Sequence, residues 1–139
     1  MEITDIVKKA HELAVKAQAN AYAKYSKHPV GAAVKAKGSE QIFVGCNMEN
    51  AVNGASICAE PVAIAQLTAH QGKSLIEFIV VASDHKKGVA PCGVCRQVLL
   101  EFSDENTKVY TANLQEIQNC FTVFELMPER YDEEAMISK

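Results

Sequence analysis

The chain of 139 residues has no tryptophan, no run of basic residues and no long apolar stretch. Its longest Lys/Arg clusters are the pairs at 8–9 and 86–87, and its formal net charge is -3. Long nucleic acids are bound by basic surfaces, so we expect no nucleic-acid polymer as a partner. No segment approaches the roughly 20 apolar residues of a membrane span. We therefore also expect no membrane partner.

The amino-terminal segment is not of secretory type. "MEITDIVKKAHELAVKAQ" lacks the basic start and the uninterrupted apolar core of a signal peptide. We therefore expect a cytoplasmic protein. Cysteines in such a protein are more often metal ligands, catalytic groups or core residues than disulfides, and an odd number fits that interpretation. The five cysteines are Cys46, Cys58, Cys92, Cys95 and Cys120.

Helical and strand patterns alternate along the chain. Apolar residues from Ile6 to Ala17 recur at helical spacing, which predicts an amphipathic helix from residue 5 to about 23. "VGAAVKA" and "QIFVGCN" predict a hairpin. Further predictions are a helix at 59–71, a strand at 78–84, a helix opening at "PCGVCRQVLLEF", a strand at 108–113, a short helix in "TVFELMPERY" and a polar tail. This alternation predicts a three-layer α/β/α sandwich with one mixed sheet, and the length predicts a single domain, residues 1–139.

Three cysteines are predicted at the amino-terminal ends of helices. Cys92 and Cys95 are three residues apart on one helical face, and Cys58 precedes the helix at 59–71. Helix amino termini favour thiolates, and three thiolates suit a tetrahedral zinc ion whose fourth position stays open to water. Glu60, two residues from Cys58, would lie beside that water and move its proton. We therefore predict a catalytic zinc site with one ion per chain.

Other interpretations of the cysteines remain open. Buried free cysteine is common, and we expect Cys46 and Cys120 to be core residues. A structural zinc site would need a fourth Cys or His at ligand spacing, and neither of these two cysteines forms a CxxC pair. Thioredoxin-like redox chemistry would leave Glu60 and the third thiol without a role.

Longer motifs carry a resemblance to a known family. "CAE", followed 32 residues later by "PCGVCRQVL", resembles the signature of zinc-dependent cytidine deaminases. "AYAKYSKHPVGAAV", "GCNMENA" and "FELMPERY" resemble the same family's first strand, nucleoside-binding segment and carboxy-terminal segment. The resemblance implies a cytidine deaminase-like fold and hydrolysis of cytidine or deoxycytidine to the uridine product and ammonia. It also implies a small-molecule nucleoside as the substrate.

The resemblance assigns roles to individual residues. Cys58, Cys92 and Cys95 match the zinc ligands, and Glu60 matches the general acid/base that moves protons to N3 and the leaving amine. Asn47 and Glu49 match the Asn-x-Glu pair that binds the ribose hydroxyls, although Asn47 could instead be a turn-former at the strand end. Ala59 matches a backbone contact to the base.

Two positions depart from the family pattern. His28 stands where the family usually has an aromatic residue that stacks on the base, and Pro61 stands where all-cysteine members usually have an arginine beside the thiolates. Arg96 or the helix termini could balance the thiolate charge instead. Blasticidin S deaminases also lack that arginine, so an aminated heterocycle of that type is the alternative substrate. A zinc-stabilised binding module with a degenerate site is a further alternative.

The carboxy-terminal segment resembles an interchain element. Small members of the family complete each pocket with an aromatic residue from a neighbouring chain, and "LMPERY" supplies Tyr131 at the matching position. The alternative is a partly exposed aromatic residue of the tail. The resemblance implies a homotetramer, or a dimer.

Overall fold

One mixed sheet organises the structure, a computed structural model that describes residues 1–138. Five strands lie in the order β2-β1-β3-β4-β5. They are β1 (Val30–Ala36), β2 (Ile42–Cys46), β3 (Ile76–Ser83), β4 (Lys108–Ala112) and β5 (Ile117–Thr122). The helices are α1 (Asp5–Gln18), α2 (Ala59–Gln71), α3 (Gly93–Leu100), α4 (Val123–Leu126) and α5 (Glu133–Ile137), and a short 3₁₀ helix spans Asn53–Ala55.

The sheet combines antiparallel and parallel pairs. Strand β1 pairs antiparallel with β2 and with β3, with Val30 opposite Ser83. Strands β3 and β4 are parallel, and β5 is antiparallel to β4. A parallel pair needs a crossover connection, which here contains α3. The same connection carries Cys92 and Cys95, so the topology places them beside the end of β3.

Helices cover both faces of the sheet. Helix α1 buries Val7, Ala10 and Ala14 on one face, against alternate residues of β3 and β4. Helices α2 and α3 bury their apolar residues on the opposite face, where Leu67 and Leu99 are almost inaccessible to solvent. The central strands are therefore apolar on both sides, as expected for a covered sheet. The predicted three-layer α/β/α sandwich with one mixed sheet is confirmed.

Two local predictions were wrong, and one strand was missed. Helix α1 ends at Gln18, because the Tyr22 N–H donates to the Asn47 carbonyl at 3.0 Å and draws the chain toward the sheet. Strand β5 was not predicted, since this partly exposed edge strand contains Gln118 and Asn119, which have low strand propensity. The tail forms α5, whose first turn is capped by the Asp132 carboxylate.

Within residues 1–138, no helix is both long enough and apolar enough to cross a membrane.

Candidate active site

The three predicted cysteines meet at one point. Cys58 is the N-cap of α2, Cys92 is the N-cap of α3, and Cys95 lies in the first turn of α3. Their sulfur atoms all lie within 4.8 Å of one another, and those of Cys92 and Cys95 are 3.5 Å apart. Sulfur ligands of one tetrahedral zinc ion are separated by about 3.8 Å, since Zn–S bonds are about 2.3 Å. The three thiols therefore fit one zinc ion.

Hydrogen bonds at the helix amino termini and burial shift the pKa values of these thiols in opposite directions. Burial raises the pKa of Cys92, but hydrogen bonds from the Cys95 and Val94 N–H groups and from the Cys95 and Cys58 thiols outweigh it, and the net pKa is lowered. Burial raises the pKa of Cys58 and, more strongly, of Cys95, whose thiol also lies near the Glu60 carboxylate. A divalent metal ion bound between the three sulfur atoms would favour the thiolate form of all of them.

Glu60 is a buried carboxyl beside the thiols. It lies in the first turn of α2, only 4% exposed, and lines the same pocket as the three cysteines. Burial raises its pKa, while its own backbone N–H and the Cys95 side chain act in the opposite direction. A carboxyl whose pKa is raised above its ordinary value holds a proton more readily than an exposed carboxylate does. This environment suits a general acid/base.

A pocket of about 280 Å³ extends from the thiols to the end of β2. Asn47 and Glu49 both line it. Asn47 Oδ1 accepts from the Val30 N–H at 2.8 Å, and its Nδ2 donates to the His28 carbonyl at 3.0 Å. Asn47 thus ties β1 to β2, as the turn-former interpretation requires, while one N–H of its amide remains for a ligand.

Glu49 is held by the loop before β1. Its carboxylate accepts from the N–H groups of Tyr25 and Ser26, at 2.8 and 2.9 Å, and from the Ser26 hydroxyl. The Ser26 hydroxyl is the largest cause that lowers the Glu49 pKa, followed by the Ser26 N–H. The carboxylate keeps unused lone pairs, so it can still accept hydrogen bonds from a sugar.

His28 and Ala59 also lie where a base could contact them, whereas Tyr131 does not. His28 lines the pocket, and its ring packs edge-on against His85 with centroids 4.5 Å apart. Ala59 is fully buried at the first position of α2, where a backbone N–H has no partner within the helix. Tyr131 is 63% exposed and lies outside this chain's own pocket, beside α3.

Neither Pro61 nor Arg96 places a positive charge on the thiols. Pro61 occupies the first turn of α2, where its missing N–H costs no helical hydrogen bond. Arg96 donates from Nε to the Pro91 carbonyl at 2.7 Å and from its guanidinium to the Leu126 carbonyl at 3.0 Å. The hypothesis that Arg96 balances the thiolates is therefore not supported, and the helix termini are left in that role.

Two polar residues of the pocket, Ser26 and Ser83, were not predicted. Ser26 anchors Glu49, and its position two residues before His28 in "YSKH" was the available signal. Ser83 is only 2% exposed, lines the pocket, and its hydroxyl has no hydrogen-bond partner within residues 1–138. Its place at the carboxyl end of a buried strand was the only hint in the sequence.

The remaining cysteines lie elsewhere. Cys46 and Cys120 are half-buried on β2 and β5, and neither belongs to a metal-binding group among residues 1–138. A fourth cysteine ligand is thus not available at the site, which argues against the closed structural zinc alternative.

Comparison with known proteins places this site in a family. Residues 4–111 match the model of the cytidine and deoxycytidylate deaminase zinc-binding region. The chain is 40% identical over 123 residues to a cytidine deaminase of Halalkalibacterium halodurans, covering 88% of this chain and 92% of that protein. It is also 40% identical over 119 residues to a cytidine deaminase of Sporosarcina psychrophila, covering 86% of each.

Solved structures agree with this placement. The crystal structure of a cytidine deaminase from Burkholderia pseudomallei superposes with a TM-score of 0.83 at 33% identity, covering 89% of this chain and 98% of that one. The chain belongs to the cytidine and deoxycytidylate deaminase family. The predicted fold class and the prediction of a hydrolytic deaminase enzyme are both confirmed.

Proposed function

We propose that the chain hydrolyses cytidine and deoxycytidine to uridine and deoxyuridine, with release of ammonia. The observation that carries the proposal is the convergence of three thiols, the buried Glu60 carboxyl and the Asn47–Glu49 pair on one pocket in a member of this family. The relatives named above are cytidine deaminases, and no observation favours the blasticidin-type alternative.

Cys58, Cys92 and Cys95 would hold one zinc ion per chain. Their sulfur separations suit tetrahedral thiolate coordination, and three protein ligands are typical of a catalytic site. Zinc bound there supplies the Lewis acidity that makes a water molecule acidic enough to attack at neutral pH.

Glu60 carries the protons of the reaction. Water adds to C4 of the pyrimidine, the C4–N bond breaks, and the amino group leaves as ammonia. The Glu60 carboxylate accepts a proton from water, delivers one to N3, and then assists departure of the amine. Its burial keeps bulk water from competing for these protons.

The other pocket residues orient the nucleoside. The Asn47 amide and the Glu49 carboxylate bind the ribose hydroxyls, the Ala59 backbone contacts the base, and the His28 ring lies against its face. Tyr131 of a neighbouring chain completes the pocket in a homotetramer or dimer. The exposure of Tyr131 and its position outside this chain's own pocket support that interchain role.

We further propose a cytoplasmic, single-domain enzyme of pyrimidine salvage. One sheet with one helical layer on each face supports a single domain. The reduced thiols that the zinc site requires support the compartment.

Ammonia release from a substrate panel tests the assignment. Cytidine, deoxycytidine, cytosine, adenosine, guanine and blasticidin S are compared at equal concentration with the zinc-loaded protein. We expect cytidine and deoxycytidine to react and cytosine to react far more slowly, because without a sugar the buried Asn47 amide and the Glu49 carboxylate lose their partners. Equal rates for cytosine and cytidine would overturn the nucleoside assignment, and a preference for blasticidin S would replace it.

A further inference from the structure

A second group of metal-ligating side chains lies at the edge of the pocket. His28, Asp84 and His85 each offer a ligand atom, and these atoms all lie within 4.8 Å of one another. Strand register explains the arrangement. Val30 pairs with Ser83, so continuing that antiparallel register by two residues brings His28 opposite His85.

The three side chains have unused bonding capacity. The Nδ1 atom of His28 is buried and has no hydrogen-bond partner within residues 1–138. The backbone of His28 is fixed, since its N–H donates to the Ser26 hydroxyl and its carbonyl accepts from Asn47, each at 3.0 Å. Leaving a buried ring nitrogen unpaired is costly, and a metal ion would satisfy it.

The backbone beyond His85 is anchored close to the cluster. The Lys86 carbonyl accepts from Asn113 Nδ2 at 3.0 Å and from Gln118 Nε2 at 2.8 Å. Asp84 and His85 therefore lie between the end of β3 and the Lys86 carbonyl, which accepts two hydrogen bonds. Both side chains are exposed, so they can close the distances to the about 3.4 Å that separates tetrahedral ligands with bonds of about 2.1 Å.

The donor set indicates the kind of ion. Two imidazoles and one carboxylate are the ligands of transition-metal ions with open positions. Calcium and magnesium favour sites built from oxygen ligands. The neighbouring positive charges of Lys86 and Lys87 would also repel a cation that is held only by its charge.

We propose that His28, Asp84 and His85 form a second divalent transition-metal site, separate from the three cysteines, whose occupation opposes nucleoside binding. His28 lines the pocket together with Asn47 and Glu49. A metal ion that bridges His28 to Asp84 and His85 fixes the ring in its place beside His85, so that the ring cannot turn to stack on the base. The inhibition, but not the metal binding, rests on the proposed deaminase function.

Nickel titration of protein already loaded with zinc tests the binding. We expect one additional nickel ion per chain while the zinc content stays constant, and we expect His85→Ala to weaken nickel binding about tenfold or more. Asp84→Asn, which keeps the shape and removes the charge, should also weaken it. His70→Ala is the matched control, since that exposed imidazole lies on α2 and bonds to the Gln66 carbonyl. Unaltered nickel affinity in His85→Ala, or nickel replacing zinc mole for mole, would overturn the site.

Steady-state kinetics test the inhibition independently. At a nickel concentration that fills the second site, the KM for cytidine should rise in the wild-type protein with little change in kcat, and should not rise in His85→Ala. Zinc content and thermal unfolding verify that each variant is folded. Nickel that binds with no change in KM would refute the opposition to nucleoside binding, whereas absence of deamination in every protein would refute the proposed function and leave the binding result intact.

Discussion

Gly45 approaches α2 so closely that a side-chain carbon there would lie 2.6 Å from the Ala59 carbonyl oxygen and 2.5 Å from the Ala63 nitrogen. Both contacts are with backbone, which cannot move aside as a side chain can. The close packing of β2 against the first turn of α2 therefore sets the position of Glu60, the residue after Ala59. Only glycine permits this packing.

Gly45→Ala should therefore lower both stability and activity. Overpacking of this kind costs about 1–3 kcal/mol, and the displaced turn carries Glu60 and adjoins Cys58. Urea unfolding and cytidine deamination measure the two effects. Gly54→Ala is the control, because a side-chain carbon at Gly54 meets nothing within 4 Å. Equal stability of the two variants would contradict the packing argument.

Glu60→Gln should separate proton transfer from metal binding. The amide preserves the shape of the side chain but cannot exchange protons, so turnover should fall roughly 100- to 10,000-fold while zinc content and fold are retained. Cys58→Ala should lose both zinc and activity, because a ligand is removed. Elemental analysis and ammonia release measure these outcomes. Near-native turnover in Glu60→Gln would remove Glu60 from the mechanism.

The centre of the site was predictable because its signals are local. The CxxC spacing places Cys92 and Cys95 at the start of α3, and both predicted helix starts at Cys58 and Cys92 agree with the structure. The burial of Glu60 depends on the same local pattern, since Glu60 lies in the first turn of a helix that packs on the sheet.

The surroundings of the site were not predictable because they depend on register and on long-range bonds. The contact between His28 and His85 requires the pairing of β1 with β3, which no local pattern specifies. The anchoring of Arg96 to the Leu126 carbonyl joins segments 30 residues apart. Polar edge strands such as β5 lack the apolar alternation on which strand prediction depends.

Ser26→Ala should move the acid limit of cytidine binding to higher pH. The Ser26 hydroxyl is the largest cause that lowers the Glu49 pKa, so its removal lets that pKa rise toward the ordinary value. The carboxylate is then protonated at higher pH, so its bonds to the loop and the sugar contact proposed for it weaken earlier as pH falls. Measurement of kcat/KM between about pH 4 and pH 6 detects the shift.

Ser74→Ala provides the comparison for this variant. Its hydroxyl donates to the Gly72 carbonyl, outside the pocket, so its pH profile should match the wild type. Coincident acid limits in all three proteins would show that Glu49 ionisation does not contribute to nucleoside binding.

Arg96→Lys should loosen the turn that carries Cys92. Arg96 donates both to the Pro91 carbonyl and to the Leu126 carbonyl, and a lysine ammonium cannot reproduce that planar pair of bonds. Hydrogen bonds from charged groups contribute about 1.5–3 kcal/mol, so we expect a loss of that order in the free energy of unfolding. Zinc should also be removed faster by a chelator.

Arg130→Lys is the control for this variant. Arg130 donates to the Met127 carbonyl and its guanidinium stacks on Phe124, so it does not hold the Pro91 carbonyl. If both variants lose zinc at the wild-type rate, Arg96 does not support the metal site.

Removal of residues 129–139 should lower activity more than it lowers stability. Tyr131 is 63% exposed, and Met136 and Ile137, on α5, are 63% and 71% exposed, so the truncation takes away little of the core. Val94, beside Cys95, is also 71% exposed, and this exposed apolar surface near the site fits a contact with another chain. If Tyr131 completes a neighbour's pocket, the truncated protein should show a weaker assembly, a higher KM for cytidine and a nearly unchanged thermal transition. Light scattering, kinetics and calorimetry measure the three quantities.

Tyr131→Ala separates the contributions of the ring and of α5. It removes the aromatic ring and leaves α5 in place, so it should raise KM with less effect on assembly. A wild-type protein that is monomeric and fully active in solution would contradict the interchain role of Tyr131.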